Sequence, residues 1–165
     1  MAPIEYIPLM RAYYQKLGFD DYPIYEPKGD PWTIVRKALA KSTLSLVCSA
    51  GLSRKDQVPY DPRVKDDLSI REIPADTRPE DLIINYSYFD HRDADVDINC
   101  VFPLQRLKEL ENEGFIGRLS PVAYAMGVGR WRDPSTPERL QTEVADDLAG
   151  RLRRHAVDAV LMIPT

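Results

Sequence analysis

Residues 133–165 read "DPSTPERLQTEVADDLAGRLRRHAVDAVLMIPT", and this stretch decides the fold class. Ser135 or Thr136 followed by Pro137 marks a helix start. A hydroxyl can accept one of the orphan amides there, and a proline in the first turn has no N–H to leave unpaired. The long amphipathic helix ends near His155, a residue favoured at a helix C-terminus by the helix dipole. Residues 157–163, "VDAVLMI", then read as a buried strand with one Asp near its start, and Pro164-Thr165 opens a turn.

The same alternation extends towards the N-terminus. "SPVAYAMGVG", 120–129, is a strand followed by glycines. "FPLQRLKELENEGFIGRL", 102–119, is a helix with Phe102, Leu104, Leu107 and Leu110 on one face and Gly114 as its stop. "TLSLVCSAG", 43–51, is the best candidate for a first strand, "SIREIPAD" is a short extended piece, and Leu82 to Tyr88 is a further strand. The spacing also predicts helices over residues 5–17 and from Asp30-Pro31 through "WTIVRKALAKS", with polar loops at 19–32 and 52–68. Strands alternating with helices predict a three-layer α/β/α fold with a doubly wound, mostly parallel sheet, Rossmann-like or flavodoxin-like. Residues 1–165 read as one domain with a long first connection.

Composition narrows the function classes. The chain carries 22 basic and 26 acidic residues, a net charge of -4, which gives no electrostatic case for nucleic acid or an anionic membrane. No apolar run approaches the ~20 residues of a membrane span. The N-terminal residues lack the pattern of a signal peptide. A cytoplasmic protein is expected, with Cys48 and Cys100 as free thiols.

Chemistry concentrates after the Leu82–Tyr88 strand, in a run holding Asp90, His91, Asp93, Asp95, Asp97 and Cys100. Loops after parallel strands carry function. Asp90 and His91 suit a general acid/base pair. The same carboxylates also suit a plainer role, capping the next helix and bonding nearby amides. The Asp93, Asp95, Asp97 spacing imitates the start of a calcium loop without its glycine or closing glutamate, and two Cys with two His show no zinc spacing, so no metal is expected. Cys48, at the end of a strand before Ser-Ala-Gly, sits where a thiol can be activated, although burial of both cysteines is the simpler expectation. "GVGRWR", 127–132, is not a dinucleotide fingerprint.

Four segments carry a resemblance. They are "CSAGLSRKDQVPYD" (48–61), "LSIREIPAD" (68–76), "YSYFDHRDADVDINCVFPLQRLKELENEGFIGRLSPVAYAMG" (86–127) and "ADDLAGRLRRHAVDAVLMIPT" (145–165). Together they resemble the glycine/sarcosine/betaine/D-proline reductase selenoprotein B family. The most specific part is Asp97-Ile98-Asn99, Val101-Phe102-Pro103-Leu104 and Glu113-Gly114-Phe115-Ile116-Gly117.

The resemblance implies reductive cleavage of a carbon–nitrogen bond in a small amino-acid-like substrate. It implies a partner subunit with a covalent pyruvoyl group, a thioredoxin-type dithiol donor, and a selenocysteine or cysteine as the reactive residue. A selenolate is ionised at neutral pH and strongly nucleophilic, and a neighbouring thiol resolves its intermediate by exchange. In the family that residue follows a strand like "VDAVLMIPT", so it is expected immediately after Thr165. A UGA read as a stop, or a natural short form, accounts for its absence, and the first is preferred because it ends the frame there by necessity. Cys48, Asp90 and His91 are then the local site candidates. Relatives carry histidines in the stretch aligned with Tyr86 and Tyr88, and any role of those histidines does not carry over. A non-catalytic scaffold homologue and an enzyme using a Cys thiol remain the alternatives.

Overall fold

Thr43–Cys48 forms the central strand, β1. Its residues from Leu44 onward are buried, as in a strand covered on both faces. The computed structural model describes residues 4–18, 29, 33–61, 63–64, 66–86, 89–127 and 135–165. The chain divides into two compact units, residues 1–33 and residues 34–165. The first unit contains helix α1 (Tyr6–Lys16), as the spacing predicts, followed by Gly18 at φ 80°.

The second unit is mixed α/β with a mostly parallel sheet. After β1 come β2 (Leu52–Arg54), β3 (Ile70–Pro74) and β4 (Leu82–Ile84), then helices α2 (Arg92–Val96) and α3 (Leu104–Asn112). Strands β5 (Arg118–Leu119) and β6 (Val122–Met126), helices α4 (Thr136–Arg139) and α5 (Ala145–Arg154), and β7 (Ala159–Ile163) complete it. β1 pairs in parallel with β7 along Leu44–Cys48. On its other side it pairs in parallel with β5 at Thr43 and Leu44 and with β6 at Val47 and Cys48. Pro121 interrupts that neighbour because it has no N–H for the ladder. The Ser45 hydroxyl donates to the Val122 carbonyl at 3.0 Å across the break. β3 closes this side antiparallel to β6.

Alternation along β1 separates two apolar clusters. Leu44, Leu46 and Cys48 pack with Ala94 of α2, Leu104 and Leu107 of α3, and Leu52 and Leu82 of the β2–β4 ribbon. Val47 faces the other way, against Tyr124 of β6 and Leu148 and Leu152 of α5. Each large side chain so buried contributes roughly 1.5–3 kcal/mol. From α4 the chain continues through a π turn at Leu140–Val144 into α5, so the long predicted helix runs from Thr136 to Arg154. The hydroxyl of Thr136 does not cap it, and instead donates to Oδ2 of buried Asp66 at 2.6 Å.

Several expectations are corrected. Residues 33–38 form no helix, and only a 3-10 turn at Leu39–Lys41 is present. Thr33, Ile34 and Val35 are consecutive β-branched residues, which lose χ1 freedom in a helix. β2 lies inside the segment expected to be loop and pairs antiparallel with β4. β4 ends at Ile84, because the next two amides, of Asn85 and Tyr86, both turn to the Gly51 carbonyl, at 3.1 and 3.2 Å. The expected acidic loop contains α2 and a 3-10 turn at Ile98–Cys100. β7 is half-buried and not fully enclosed. Ala159, Leu161 and Ile163 pack on the cluster of Leu46, whereas Met162 on the opposite face is 63% exposed.

Candidate functional site

The carboxyl ends of β1, β6 and β7 lie together, the position where open α/β sheets bind ligands. At the end of β1, Cys48 is fully buried. Burial pushes its thiol up to about 11, against a smaller lowering by the Ala50 amide, which donates to Sγ at 3.1 Å. At neutral pH Cys48 is a protonated packing group, the opposite of an activated thiolate.

The next residue, Ser49, joins β1 to the exit of β7. Its amide donates to the Ile163 carbonyl at 3.2 Å. Its Oγ accepts the Thr165 amide at 3.0 Å and lies 3.3 Å from Oγ1 of Thr165. Gly51 follows at φ 61°, and a Cβ there would fall 1.7 Å from the Tyr86 carbonyl oxygen, so only glycine fits.

An aromatic layer supports these turns. The Tyr60 hydroxyl donates to the carbonyls of Ala125 (3.1 Å) and Leu52 (3.3 Å), and the Arg71 guanidinium stacks 4.1 Å over its ring. Burial raises the Tyr60 phenol above its ordinary value, with the Arg71 charge opposing. The Tyr86 ring lies 5.6 Å from that of Tyr60, and its hydroxyl accepts the Asp67 amide at 3.3 Å. A Cβ on Gly127 would meet both rings at 2.9 Å and the Asp67 carbonyl at 2.8 Å. Burial alone would raise the Asp67 carboxyl. Hydrogen bonds from the Ser69 hydroxyl and from the Ser69 and Asp61 amides outweigh it, helped by Arg71, and hold the group below the usual carboxylate value.

The sequence candidates fall into separate environments. Asp90 is exposed, and the Arg92 side chain, with the Arg92 amide, holds it below the usual carboxylate value. His91, the next residue, adds a smaller lowering to Asp90. Its Nδ1 lies 2.9 Å from Oδ2 of Asp95, one helical turn on, and its ring meets Phe89 edge-on. Asp97 takes the plainer role, accepting the Asn99 amide at 3.0 Å at the start of a 3-10 turn. Cys100, expected to be buried, is exposed, its thiol 3.9 Å from the Asp93 carbonyl. Cys48, Asp90 and His91 thus have different partners, Ala50, Arg92 and Asp95. Tyr88 and the "VGRWR" segment lie outside the described residues. Among the described residues, no three His, Cys, Asp or Glu side chains converge as a metal site, and no helix is long and apolar enough to cross a membrane.

Sequence reasoning passed over Ser49, Tyr60 and Arg71. The small residues after β1 are the one local signal for the first, and nothing local points to the stacked pair.

The family model for glycine/sarcosine/betaine reductase selenoprotein B matches residues 34–165, the whole of the second unit. The chain belongs to that family. It is similar to D-proline reductase subunit gamma of Acetoanaerobium sticklandii, 33% identical over 141 residues that cover 84% of this chain and 56% of the relative. It is also 29% identical to betaine reductase complex component B subunit beta of Peptoclostridium acidaminophilum, over 84% of this chain and 32% of the relative. Glycine reductase complex component B subunit gamma of Symbiobacterium thermophilum is 29% identical, over 78% of this chain and 30% of that one. The chain therefore spans about half the length of the first relative and about a third of the other two. No solved structure matches it significantly.

Proposed function

We propose that this chain supplies the α/β core of a selenoprotein-B-type subunit in a multi-subunit reductase, with the reaction centre at the carboxyl ends of β1 and β7. The observation that carries the reading is the turn after β7, held at the mouth of the sheet by the bond from the Thr165 amide to Ser49. The relatives are subunits and complex components of D-proline, betaine and glycine reductases. The substrate is accordingly a small amino acid or its N-methylated form, and the reaction is reductive cleavage of its carbon–nitrogen bond. In balance, the C–N bond breaks, carbon and nitrogen each gain a hydrogen, and a dithiol donor of the thioredoxin type becomes a disulfide. A pyruvoyl-bearing partner subunit and a cytoplasmic location complete the reading.

A selenocysteine or cysteine immediately after Thr165 would supply the nucleophile. The described cysteines fit that role poorly. Cys48 is buried with a raised thiol pKa, and Cys100 stands at the end of the 3-10 turn after α2. Cys48 supports the end of β1 from below. His91, whose Nδ1 lies 2.9 Å from Oδ2 of Asp95, is assigned to proton delivery as the imidazole beside the carboxylates of this segment. Asp90, held by Arg92, shapes the local charge. The sheet is further read as the middle of a doubly wound, Rossmann- or flavodoxin-like α/β/α layering, supported by α2 and α3 on one face and α5 on the other.

The test is the nucleotide sequence after the Thr165 codon together with activity. A codon for selenocysteine or cysteine directly after that of Thr165 is the outcome that fits, and a codon for any other residue there would end the assignment. The 165-residue chain alone is expected to reduce none of glycine, sarcosine, betaine or D-proline with a dithiol donor. Robust turnover by it would overturn the reading.

A further inference from the structure

The exit of β7 is fastened in an unusual way. The Ser49 amide makes the last main-chain bond of the β1–β7 pair, to the Ile163 carbonyl. Pro164 follows and has no N–H to offer. The next amide, of Thr165, turns to a side chain, and Oγ of Ser49 takes it at 3.0 Å. The two hydroxyls also lie within 3.3 Å of each other. One serine therefore engages the end of β7 through its backbone and the following turn through its hydroxyl. The bond to Thr165 is exposed, so its contribution to stability is small. Its consequence is directional, because it fixes the plane of the peptide from which the chain leaves the sheet.

We infer that Ser49 is a positioning residue for the redox centre, setting through the Thr165 amide the placement of the residue that attacks or is reduced. This rests on the proposed function, which puts that residue directly after Thr165. The requirement is for a hydroxyl that can accept. Threonine keeps it at this position and alanine removes it. Neither change touches the apolar clusters on either face of β1, to which Ser49 does not belong.

The experiment compares Ser49→Ala and Ser49→Thr in the assembled reductase, with the subunit carrying the residues that follow Thr165, its pyruvoyl partner and a dithiol donor. With Ser49→Ala, kcat is expected to fall about 10- to 100-fold at unchanged KM, the size of effect that misplacing a reacting group produces. Ser49→Thr is expected to restore most of it. Hydrogen exchange of the Thr165 amide, measured on the 165-residue chain, should be about two-fold faster in Ser49→Ala than in the wild type and should return to the wild-type rate in Ser49→Thr. An active wild type with an equally active Ser49→Ala overturns the positioning role and leaves the proposed function standing. Unchanged Thr165 exchange in Ser49→Ala overturns the role as well. A wild-type assembly with no reductase activity overturns both.

Discussion

The two ends of the β1–β7 pair are built from opposite chemistry. At the amino end, Asp158 just before β7 accepts the Thr43 amide at 3.0 Å and the Lys37 ammonium at 2.7 Å. That end is exposed and ionic. At the carboxyl end the contacts are neutral. They are the Cys48 thiol under the Ala50 amide, Ser49 on Thr165, and Gly51 pressed against Tyr86. The charged end holds register, and the uncharged end shapes space.

The comparison breaks most severely at Gly51. Gly51→Ala combines strain at positive φ with an overlap against an immobile backbone carbonyl, and should cost about 3–5 kcal/mol in urea unfolding. An equivalent alanine at Gly150 in α5, where nothing lies within 4 Å of the added methyl, should not destabilise.

The next effect is a difference in pH response. Folded Cys48 keeps its proton to about pH 11, whereas an unfolded thiol loses it near 9.0. Between those values the native state binds more protons, so stability falls as pH rises, by about 2–3 kcal/mol in total. The stability gap between wild type and Cys48→Ala should narrow across that window. Asp158 behaves in the opposite sense. The Lys37 side chain and then the Thr43 amide hold its pKa below the ordinary 3.8, so its contribution is present above that value and fades as pH falls through the folded pKa. Asp158→Asn should differ from wild type near neutrality and converge with it in acid, by denaturant midpoints.

Iodoacetamide at near-neutral pH separates the thiols, labelling exposed Cys100 and sparing Cys48 until the chain is unfolded. Rapid native labelling of Cys48 would break the contrast between the two ends. The smallest effect is that of Ser49→Ala on stability, within about 0.5 kcal/mol, because the contact is exposed.

Most elements of the sheet are legible in the sequence because their periodicity is local. "TLSLVC" and "VAYAM" are apolar enough to be strands anywhere, and Leu104 with Leu107 ahead of Gly114 marks α3. β2 is not legible. Its Ser53 is fully buried only because β4, some thirty residues on, pairs with it. The exposed face of β7 depends on what the rest of the chain lays over it, which no window within the strand reports. In the candidate site, burial of Cys48 follows from its apolar neighbours, but the Ser49–Thr165 bond joins residues 116 apart and leaves no local mark. Asp90 and His91 are adjacent in the sequence, but Asp90 pairs with Arg92, and the His91 ring lies against Asp95, four residues on, a contact that adjacency alone does not announce.

The central place of β1 also bears on how the protein is made. β1 leaves the ribosome before any strand it will pair with in the parallel part of the sheet. One of its edges waits for residues 118–126 and the other for residues 159–163. Such distant pairings make for slow folding. Until they form, a short, apolar, uncharged strand stands with open edges on a nascent chain, which is the condition under which strands join the wrong partner. The earliest strand of the sheet is the last to be enclosed, and the interval between the two is when the nascent chain is most open to mispairing.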